Sequence, residues 1–287
     1  MTLFHQALAL IVVFIWGTNF VFIRIGLDEL EPFTFAALRF ILVVFPLVFF
    51  LPKPQVPWRS LISYGVFIGF GQFGLLFWAM QENITPGLAS LIIQIQVFFT
   101  IFLAVLLANE RITGTQLFAL CLCFIGLLLI ILFTDGSTTS VGIVVVLIAA
   151  LSWSCGNLVV KNAGKVNVLA YIAWSSIFAL PPLVLMAVIN QPMEQIGASV
   201  LQASWKTWSV IVWQSVGNTM IGYGLWNFLL NRYPASSVAP WALLVPVFGM
   251  SGSALMLGEV MPWWKLAAMG LIIAGLAINM WGARRRP

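Results

Sequence analysis

The sequence predicts an all-α integral membrane protein with ten transmembrane helices, arranged as two inverted repeats of five helices. The first observation is composition: 62% of the 287 residues are hydrophobic and only 7% are charged, whereas an ordinary soluble domain is about 25% charged. The second is that the chain divides into ten apolar runs, each near the ~20 residues that cross a bilayer as a helix. The third is an internal repeat in the sequence.

The ten predicted spans follow one another with short polar breaks. They lie near residues 3–23, 33–51, 61–80, 86–107, 116–133, 141–160, 168–189, 208–230, 236–257 and 263–281. The first run has no basic segment before it and no small-residue cleavage site after it, so we predict a retained helix and not a cleaved signal. The longest break, 190–207, is too short to form a soluble domain.

The basic residues predict the orientation of the spans, because cytoplasmic loops carry an excess of Lys and Arg. If the N-terminus is cytoplasmic, nine basic residues lie on the inner side: Lys53, Arg59, Arg111, Lys161, Lys165, Arg232, Arg284, Arg285 and Arg286. Three lie on the outer side: Arg24, Lys206 and Lys265. We therefore expect both termini in the cytoplasm. The net charge of +5 is explained as a topology signal, and nucleic acid is not an expected partner.

The second half of the sequence repeats features of the first half. At an offset of 149 positions, "ANERITGTQLFALCLCFIGLLLI" falls on "LGEVMPWWKLAAMGLIIAGLAIN", which superposes Glu110 on Glu259 and Gly126 on Gly275. Apolar helices share Leu and Gly by chance, but here a glutamate that precedes the helix also agrees. The match therefore indicates an internal repeat.

A second match lies further upstream, at an offset of 137 positions. Trp16 falls on Trp153, and Asn19 and Asn157 are one position out of register. We predict two repeats, residues 1–135 and residues 136–287. Because each would hold five helices, an odd number, the second would enter the membrane from the opposite side. Inverted repeats are typical of secondary transporters, whose binding sites lie near the midplane where the repeats meet.

Five segments of the chain resemble the EamA family, the ten-helix branch of the drug/metabolite transporter superfamily. They are "WGTNFVFIRIGL", "LRF", "GLASLIIQIQVFFTIFLAVLLANER", "SWSCGN" and "GYGLWNFLLNRYPASSVAPWALLVPVFG". The last three are similar to the O-acetylserine/cysteine exporter branch. The resemblance implies a ten-helix bundle in the bacterial inner membrane, with a central cavity lined by the first, third, fourth, sixth, eighth and ninth helices.

Polar and aromatic side chains within the predicted spans are the candidate substrate-binding residues, since polar groups at membrane depth normally face the bundle interior or a wet cavity. The candidates are Trp16, Asn19, Gln72, Gln94, Trp153, Asn157, Tyr223, Trp226 and Trp241. Gln94 and Gln96 are two positions apart, about 200° on an α-helix, so we expect at most one of them to line a cavity well. Hydrogen bonding between helices, without a substrate role, is the alternative for Asn19.

The stretch "WGTN" lies in the middle of the first span and contains a residue that weakens helices. Gly17 would either let a neighbouring backbone approach or weaken the helix locally. We predict that "WGTN" interrupts the first helix, because Trp16 and Asn19 would form half of a midplane substrate site. Trp153 and Asn157 would supply the other half.

Three further residues are candidates for gating or structural roles. Arg39 lies about seven residues inside the second span, where it would either snorkel to the interface or face the bundle and pair with Glu31 or Glu82. Pro240 and Pro246 remove backbone donors within the ninth span. They would act as kinks or leave carbonyl groups free to accept from a substrate ammonium.

The candidate residues suit a small zwitterion. Amides can donate to a carboxylate and accept from an ammonium, and Trp and Tyr rings offer cation–π surfaces. We therefore predict a secondary transporter that exports small polar metabolites or amino acids, with cysteine, O-acetylserine or related compounds first, by alternating access. Export of aromatic amino acids or of toxic analogues such as cationic drugs is the alternative. No carboxylate lies at mid-depth in the spans, which makes a lipophilic cation the less suitable substrate.

Other function classes have less support. No nucleophile with a base, and no acid pair, lies at membrane depth, so the protein is not expected to be an enzyme, and no cofactor or metal is expected. A channel or an assembly scaffold is a third class. Flux through a carrier should saturate with substrate concentration, whereas flux through a pore should rise nearly linearly. The expected partners are a small-molecule substrate and the lipid bilayer. The oligomeric state is left open, with a monomer as the working expectation. Proton antiport, exchange and facilitated efflux remain open as coupling modes.

Overall fold

Ten long helices follow one another along the chain in the computed structural model, which describes residues 1–108, 113–133, 136, 138–164, 166–233 and 238–284. In chain order, the first to the tenth helix are Leu3–Gly26, Pro32–Phe50, Trp58–Glu82, 86–108, Gly114–Leu132, Ser140–Asn162, Val168–Asn190, 205–232, 239–257 and Trp263–Arg284. The predicted all-helical membrane fold is confirmed, and its helix bounds lie within a few residues of the predicted spans.

Eight of the described helices are long and apolar enough to cross a membrane, and Trp241–Leu257 is a shorter apolar helix. The eighth helix is less apolar because Gln214, Asn218 and Thr219 lie near its middle. A helix that the sequence analysis did not predict, Met193–Gln202, connects the seventh helix to the eighth. It has no buried residue, but Ile196 and Val200 pack against the core, so it lies at the edge of the bundle.

Side chains that accept hydrogen bonds fix where several helices begin. An oxygen on the residue before the helix accepts from a backbone N–H in the first turn, which satisfies one of the donors left free at a helix start. The capping residues are Thr2, Glu31, Thr113, Thr139, Asn167 and Ser204. The sequence therefore marks the start of each of these six helices, which allows the connections before them to be short.

Irregular helical segments recur at corresponding places in the two halves. The third helix is π-helical over Gly65–Gly74, and the eighth is π-helical over Trp213–Gly222. The fourth and ninth helices contain 3₁₀ segments, Ile93–Ile95 and Ala239–Leu243. Such segments are frequent at functional sites because they redirect the side chains that follow.

The helices of the two halves also pack in corresponding pairs. The first helix packs on the eighth and ninth, and the sixth packs on the third and fourth. The second helix packs on the seventh, the fifth on the tenth, and the fourth on the ninth. Exchange of each helix with its counterpart five places along the chain converts these pairs into one another, so the contacts have an approximate twofold relationship.

The contact between the fifth and tenth helices follows this relationship residue by residue. A Cβ added to Gly126 would lie 2.8 Å from Ile272, and one added to Gly275 would lie 2.6 Å from the Sγ of Cys123. Both pairs are related by the offset of 149 positions found in the sequence. The two glycines therefore allow one reciprocal close approach of two helices.

This close approach predicts a stability difference between two substitutions in the tenth helix. Gly275→Ala should lower the free energy of unfolding by about 1–3 kcal/mol, because the new methyl group overfills a tight contact. Gly270→Ala is the matched control, since nothing lies within 4 Å of its Cβ position and Ala favours a helix by roughly 0.5–1 kcal/mol over Gly. Thermal unfolding of both purified variants measures the difference. Equal midpoints would contradict the packing described.

Candidate substrate cavity

A cavity of about 480 Å³ lies in the centre of the bundle, a volume within the usual range for small-molecule sites. The first, third, fourth, sixth, eighth and ninth helices line it, with smaller contributions from the seventh and tenth. Eight of the nine candidate substrate-binding residues lie on its wall: Trp16, Asn19, Gln72, Gln94, Trp153, Asn157, Tyr223 and Trp226.

The cavity extends towards the end of the bundle that holds the chain termini. Val160 and Val168, which flank the connection between the sixth and seventh helices, line it there, as does Met280 near the end of the tenth helix. The same end carries a contact between His5 and the Tyr233 hydroxyl, 2.7 Å apart. The cavity lining therefore reaches further towards this end of the bundle than towards the other.

A buried hydrogen-bonded cluster around Glu259 closes the opposite end of the bundle. The Glu259 carboxylate accepts from the Thr85 hydroxyl at 2.5 Å, the Gly87 N–H at 3.0 Å and the Lys265 ammonium at 3.1 Å. The Ser253 hydroxyl also donates to it. These bonds join the start of the fourth helix to the connection between the ninth and tenth helices, so this end cannot open without breaking them.

The burial of Lys265 was not expected from the sequence, which placed this residue among the basic residues of the outer side. The Lys265 side chain is 1% exposed and that of Glu259 is 6% exposed, because the ion pair lets both charges enter the packed region. Glu110, the predicted counterpart of Glu259, lies outside the described residues.

Two further contacts tie connections together at the closed end. The Ser204 N–H and hydroxyl donate to the Glu29 carboxylate at 2.7 and 2.8 Å, and these bonds lower the pKa of Glu29 below its usual value. The Thr139 N–H donates to the carbonyl oxygen of Asn83 at 2.9 Å. The closed end is thus held by contacts within and between the two halves of the chain.

The first helix runs without a break from Leu3 to Gly26, so the prediction that "WGTN" interrupts it was wrong. Gly17 has the other role considered for it. A Cβ there would lie 2.5 Å from the Cβ of Phe248 and 2.7 Å from the carbonyl oxygen of Val245, so its absence lets the ninth helix approach. The Thr18 hydroxyl donates to the carbonyl of Phe14 at 2.7 Å and is satisfied within the helix.

Trp16 and Asn19 both lie on the cavity wall but in different environments. The Trp16 indole N–H donates to the carbonyl oxygen of Asn218 at 3.3 Å. Its ring packs against Tyr223 and Trp226, with centroids 5.3 and 5.1 Å apart. Asn19 is buried, and its Oδ1 has no hydrogen-bond partner among the described residues. An unpaired buried amide oxygen is costly, so this atom is an acceptor that the described residues leave unused in the present conformation.

The second half of the chain contributes Trp153 and Asn157 to the same wall. The Asn157 amide donates to the Oε1 of Gln96 at 3.1 Å. Gln94 and Gln96 both line the cavity, so the expectation that at most one would do so was wrong. The 3₁₀ segment before Gln96 has three residues per turn, which brings positions two apart to within about 120° of each other, against about 160° in an α-helix.

Gln72 also lines the cavity, from the π-helical segment of the third helix. Its side chain is buried, and its Oε1 has no hydrogen-bond partner among the described residues. With Asn19, it makes two amide oxygens at the cavity that the described part of the protein leaves unsatisfied. Native proteins rarely leave such atoms without a partner, so both oxygens have unused capacity to accept a hydrogen bond.

Trp241 is the one candidate that does not line the cavity. It packs instead against Leu229 and its neighbours on the first and eighth helices, because it lies within the 3₁₀ segment that starts the ninth helix, while Ala242 faces the cavity. Pro240 lies in the same 3₁₀ segment. Pro246 is buried near the start of the α-helical part that follows.

Arg39 faces the bundle interior and is 1% exposed, which excludes the snorkelling alternative. Its Nη2 donates to the Thr219 hydroxyl at 3.1 Å, and its guanidinium lies 3.7 Å from the centroid of the Phe73 ring. The second helix therefore meets the third and eighth helices through a buried cation.

The predicted pairing of Arg39 with Glu31 or Glu82 was wrong. Glu31 accepts from the Thr34 N–H at 2.7 Å and from the Asn190 amide at 3.2 Å, because it caps the second helix. Neither glutamate forms an ion pair with Arg39 among the described residues, where the two recorded ion pairs are Arg24 with Asp28 and Lys265 with Glu259.

The model of the EamA-like transporter family matches residues 4–132 and again residues 140–281 of this chain. The chain belongs to the EamA-like transporter family. A probable amino-acid metabolite efflux pump of Salmonella typhimurium is 39% identical over 285 residues, with 97% of this chain and 95% of the relative covered. One of Escherichia coli, of the same description, is 37% identical with the same coverage. A crystal structure at 16% identity covers 99% of both chains with a TM-score of 0.66, which shows that the fold is shared.

Sequence reasoning missed several residues that line the cavity of this EamA family member, including Tyr64, Phe73 and Leu76. Apolar residues carry no signal in a sequence that is apolar throughout. Phe73 was the exception, because "FGLL" from Phe73 meets "YGLW" from Tyr223 when a one-residue gap is allowed in the offset of 149, and Tyr223 was a candidate.

Proposed function

We propose that this protein exports small amino-acid-related metabolites, with cysteine and O-acetylserine first, by alternating access through the central cavity. The observation that carries the proposal is one cavity with amide and indole groups from both halves, which extends towards one end of the bundle and is closed at the other. The descriptions of the Salmonella and Escherichia relatives as probable amino-acid metabolite efflux pumps support the same substrate class.

The chemistry of the wall favours a zwitterion over an organic cation. No carboxylate belongs to the described residues that line the cavity, so a cation would find no counter-charge there. The unsatisfied oxygens of Asn19 and Gln72 are acceptors for an ammonium. The rings of Trp16, Trp153 and Trp226 supply cation–π surfaces and apolar contact for a side chain.

Two inverted repeats, residues 1–135 and 136–287, would give the protein its two states. The exchangeable helix packing and the recurrent π and 3₁₀ segments support this repeat. Inverted repeats allow one half to adopt the conformation of the other, which moves the opening from one side of the membrane to the other. With both termini in the cytoplasm of a bacterium, the present state would face the cytoplasm and be closed to the outside by the Glu259 cluster.

Export of aromatic amino acids is the second candidate, and a specific feature favours it. The clustered rings of Trp16, Tyr223 and Trp226 form an aromatic surface on the cavity wall, against which an aromatic side chain could pack at centroid distances of about 4.5–7 Å.

The test of the proposed function is secretion. Overexpression in bacteria should raise the cysteine and O-acetylserine content of the medium several-fold over a matched strain that carries the empty vector. A variant with Asn19→Ala and Asn157→Ala at equal membrane abundance should lose most of this increase. A rise of aromatic amino acids alone would favour the second candidate, and no rise of any amino acid would contradict both.

A further inference from the structure

A second, smaller cavity of about 20 Å³ lies where the second, third, seventh and eighth helices meet. Its polar lining consists of Arg39, Ser175, Ser176, Thr219 and tyrosine side chains. This volume holds a single group about the size of a water molecule. The four helices are two counterpart pairs, so the small cavity lies near the approximate twofold axis of the bundle.

The Arg39 guanidinium in this cavity is a buried charge with most of its donors unused. Nη2 donates to Thr219, whereas Nε and Nη1 have no hydrogen-bond partner among the described residues. A buried charge is costly unless it is paired and hydrogen-bonded. The stacked ring of Phe73 offsets only part of that cost. The described residues thus form a cation site that lacks its anion.

The hydroxyl groups around Arg39 do not supply this anion. Ser175 and Ser176 both donate to the carbonyl of Ile172 within their own helix, and Thr219 donates to the carbonyl of Gln214. Their hydrogens are committed, so the unused N–H donors beside the small cavity are those of the guanidinium. A planar group with several N–H donors is well suited to bind a carboxylate.

Aromatic side chains alone separate Arg39 from the central cavity. Tyr64, Phe73 and Tyr223 line both cavities. Phe73 and Tyr223 also occupy aligned positions in the two halves of the sequence. The small cavity is too small for a carboxylate as it stands, so a molecule held among the amides could extend its anionic end to Arg39 only after the Phe73 ring turns away from the guanidinium.

We propose that Arg39 binds the carboxylate of the transported substrate, while the rings and amide oxygens of the central cavity hold the ammonium and side chain. This inference rests on the proposed function and deepens it. It makes Arg39 a specificity residue that selects amino acids over their amides and amines. An inorganic anion such as chloride could also pair with the Arg39 guanidinium, and the test below distinguishes this anion from a substrate carboxylate.

The test compares binding of an amino acid with binding of its carboxamide, which lacks the negative charge. The purified wild-type protein should bind cysteine at least tenfold more tightly than cysteinamide. Arg39→Gln should weaken cysteine binding by about 10- to 100-fold, as expected for the loss of charge-assisted hydrogen bonds. It should change cysteinamide binding less than about threefold. Arg39→Lys, which keeps the charge, should recover part of the preference for cysteine over cysteinamide. The wild-type protein should bind cysteine equally well in a buffer without chloride.

Several outcomes would overturn the inference, and they separate it from the proposed function. If wild type binds both ligands equally, or if Arg39→Gln weakens both equally, Arg39 has a structural role and the export function stands. If cysteine binding requires chloride and the preference over cysteinamide survives in Arg39→Gln, the anion is inorganic. If wild type binds no amino acid, the proposed function fails together with this inference. If Arg39→Gln does not fold, equal binding of both ligands by wild type would still overturn the inference, and Arg39→Lys would supply the comparison with a variant.

Discussion

Glu259→Gln should lower the free energy of unfolding by about 3–5 kcal/mol, the usual cost of removing one partner of a buried ion pair. The Lys265 ammonium, 1% exposed, would remain in the packed region without its counter-charge. The hydrogen bonds from Thr85 and Gly87 would also lose a charged acceptor. Because these bonds join the fourth helix to the ninth–tenth connection, the closed end of the bundle should open more readily as well.

The control for this prediction is the removal of both charges. The double variant Glu259→Gln, Lys265→Met should be closer to wild type in stability than either single variant, because no unpaired charge is left buried. Thermal unfolding of the four proteins in detergent measures the coupling. Additive losses in the double variant would show that the two side chains do not act as a pair.

Asn19→Ala should weaken substrate affinity by roughly 5- to 150-fold, because one unmade hydrogen bond to a buried group costs about 1–3 kcal/mol, and each 1.4 kcal/mol is tenfold. Asn157→Ala should have an effect in the same range and should also free Gln96, to which its amide now donates. Folding should suffer less than binding, since water can enter the cavity of the empty protein.

The measurement is ligand binding to each purified variant at matched folded fraction. Asn162→Ala is the control of the same residue type, since Asn162 is exposed at the end of the sixth helix and does not line the cavity. Unchanged affinity in both cavity variants would mean that these amides only join helices. An effect of Asn19→Ala alone would keep the site but reject its construction from two halves.

The sequence was sufficient to predict the helices and most of the amide and indole side chains on the cavity wall, because both depend on contrast with an apolar background. A bilayer demands about 20 apolar residues per helix, so the spans are visible as runs. An amide inside such a run must find a polar environment, which is why Asn19, Gln72 and Asn157 could be named in advance.

The local helix geometry could not be predicted in the same way. A π or 3₁₀ segment changes the direction of a side chain by tens of degrees without a change in hydropathy. Gln96 was therefore misplaced relative to Gln94, and Trp241 was assigned to a cavity that it does not reach. Gly17 shows the same limit, since a glycine that permits close packing and one that breaks a helix look alike in a sequence.

The partners of the buried charges depend on contacts between residues far apart in the chain. Arg39 was matched with glutamates near it in sequence or at the same membrane depth, whereas its hydrogen bond goes to Thr219, 180 positions away. Lys265 was assigned to the outer side because the sequence does not show its buried ion pair with Glu259. Such pairings follow from helix packing, and the pattern of residues in a single sequence does not indicate which helices pack together.

Exchange across a membrane tests the central claim most directly, namely that the cavity is a carrier site with alternating access. Purified protein would be placed in liposomes loaded with the unlabelled amino acid that the secretion assay identifies, and uptake of the labelled form would be followed. We predict that the initial rate saturates with external concentration, rises when internal substrate is present, and falls in Asn19→Ala. A rate that stays proportional to concentration and ignores internal substrate would indicate a pore and would contradict the account.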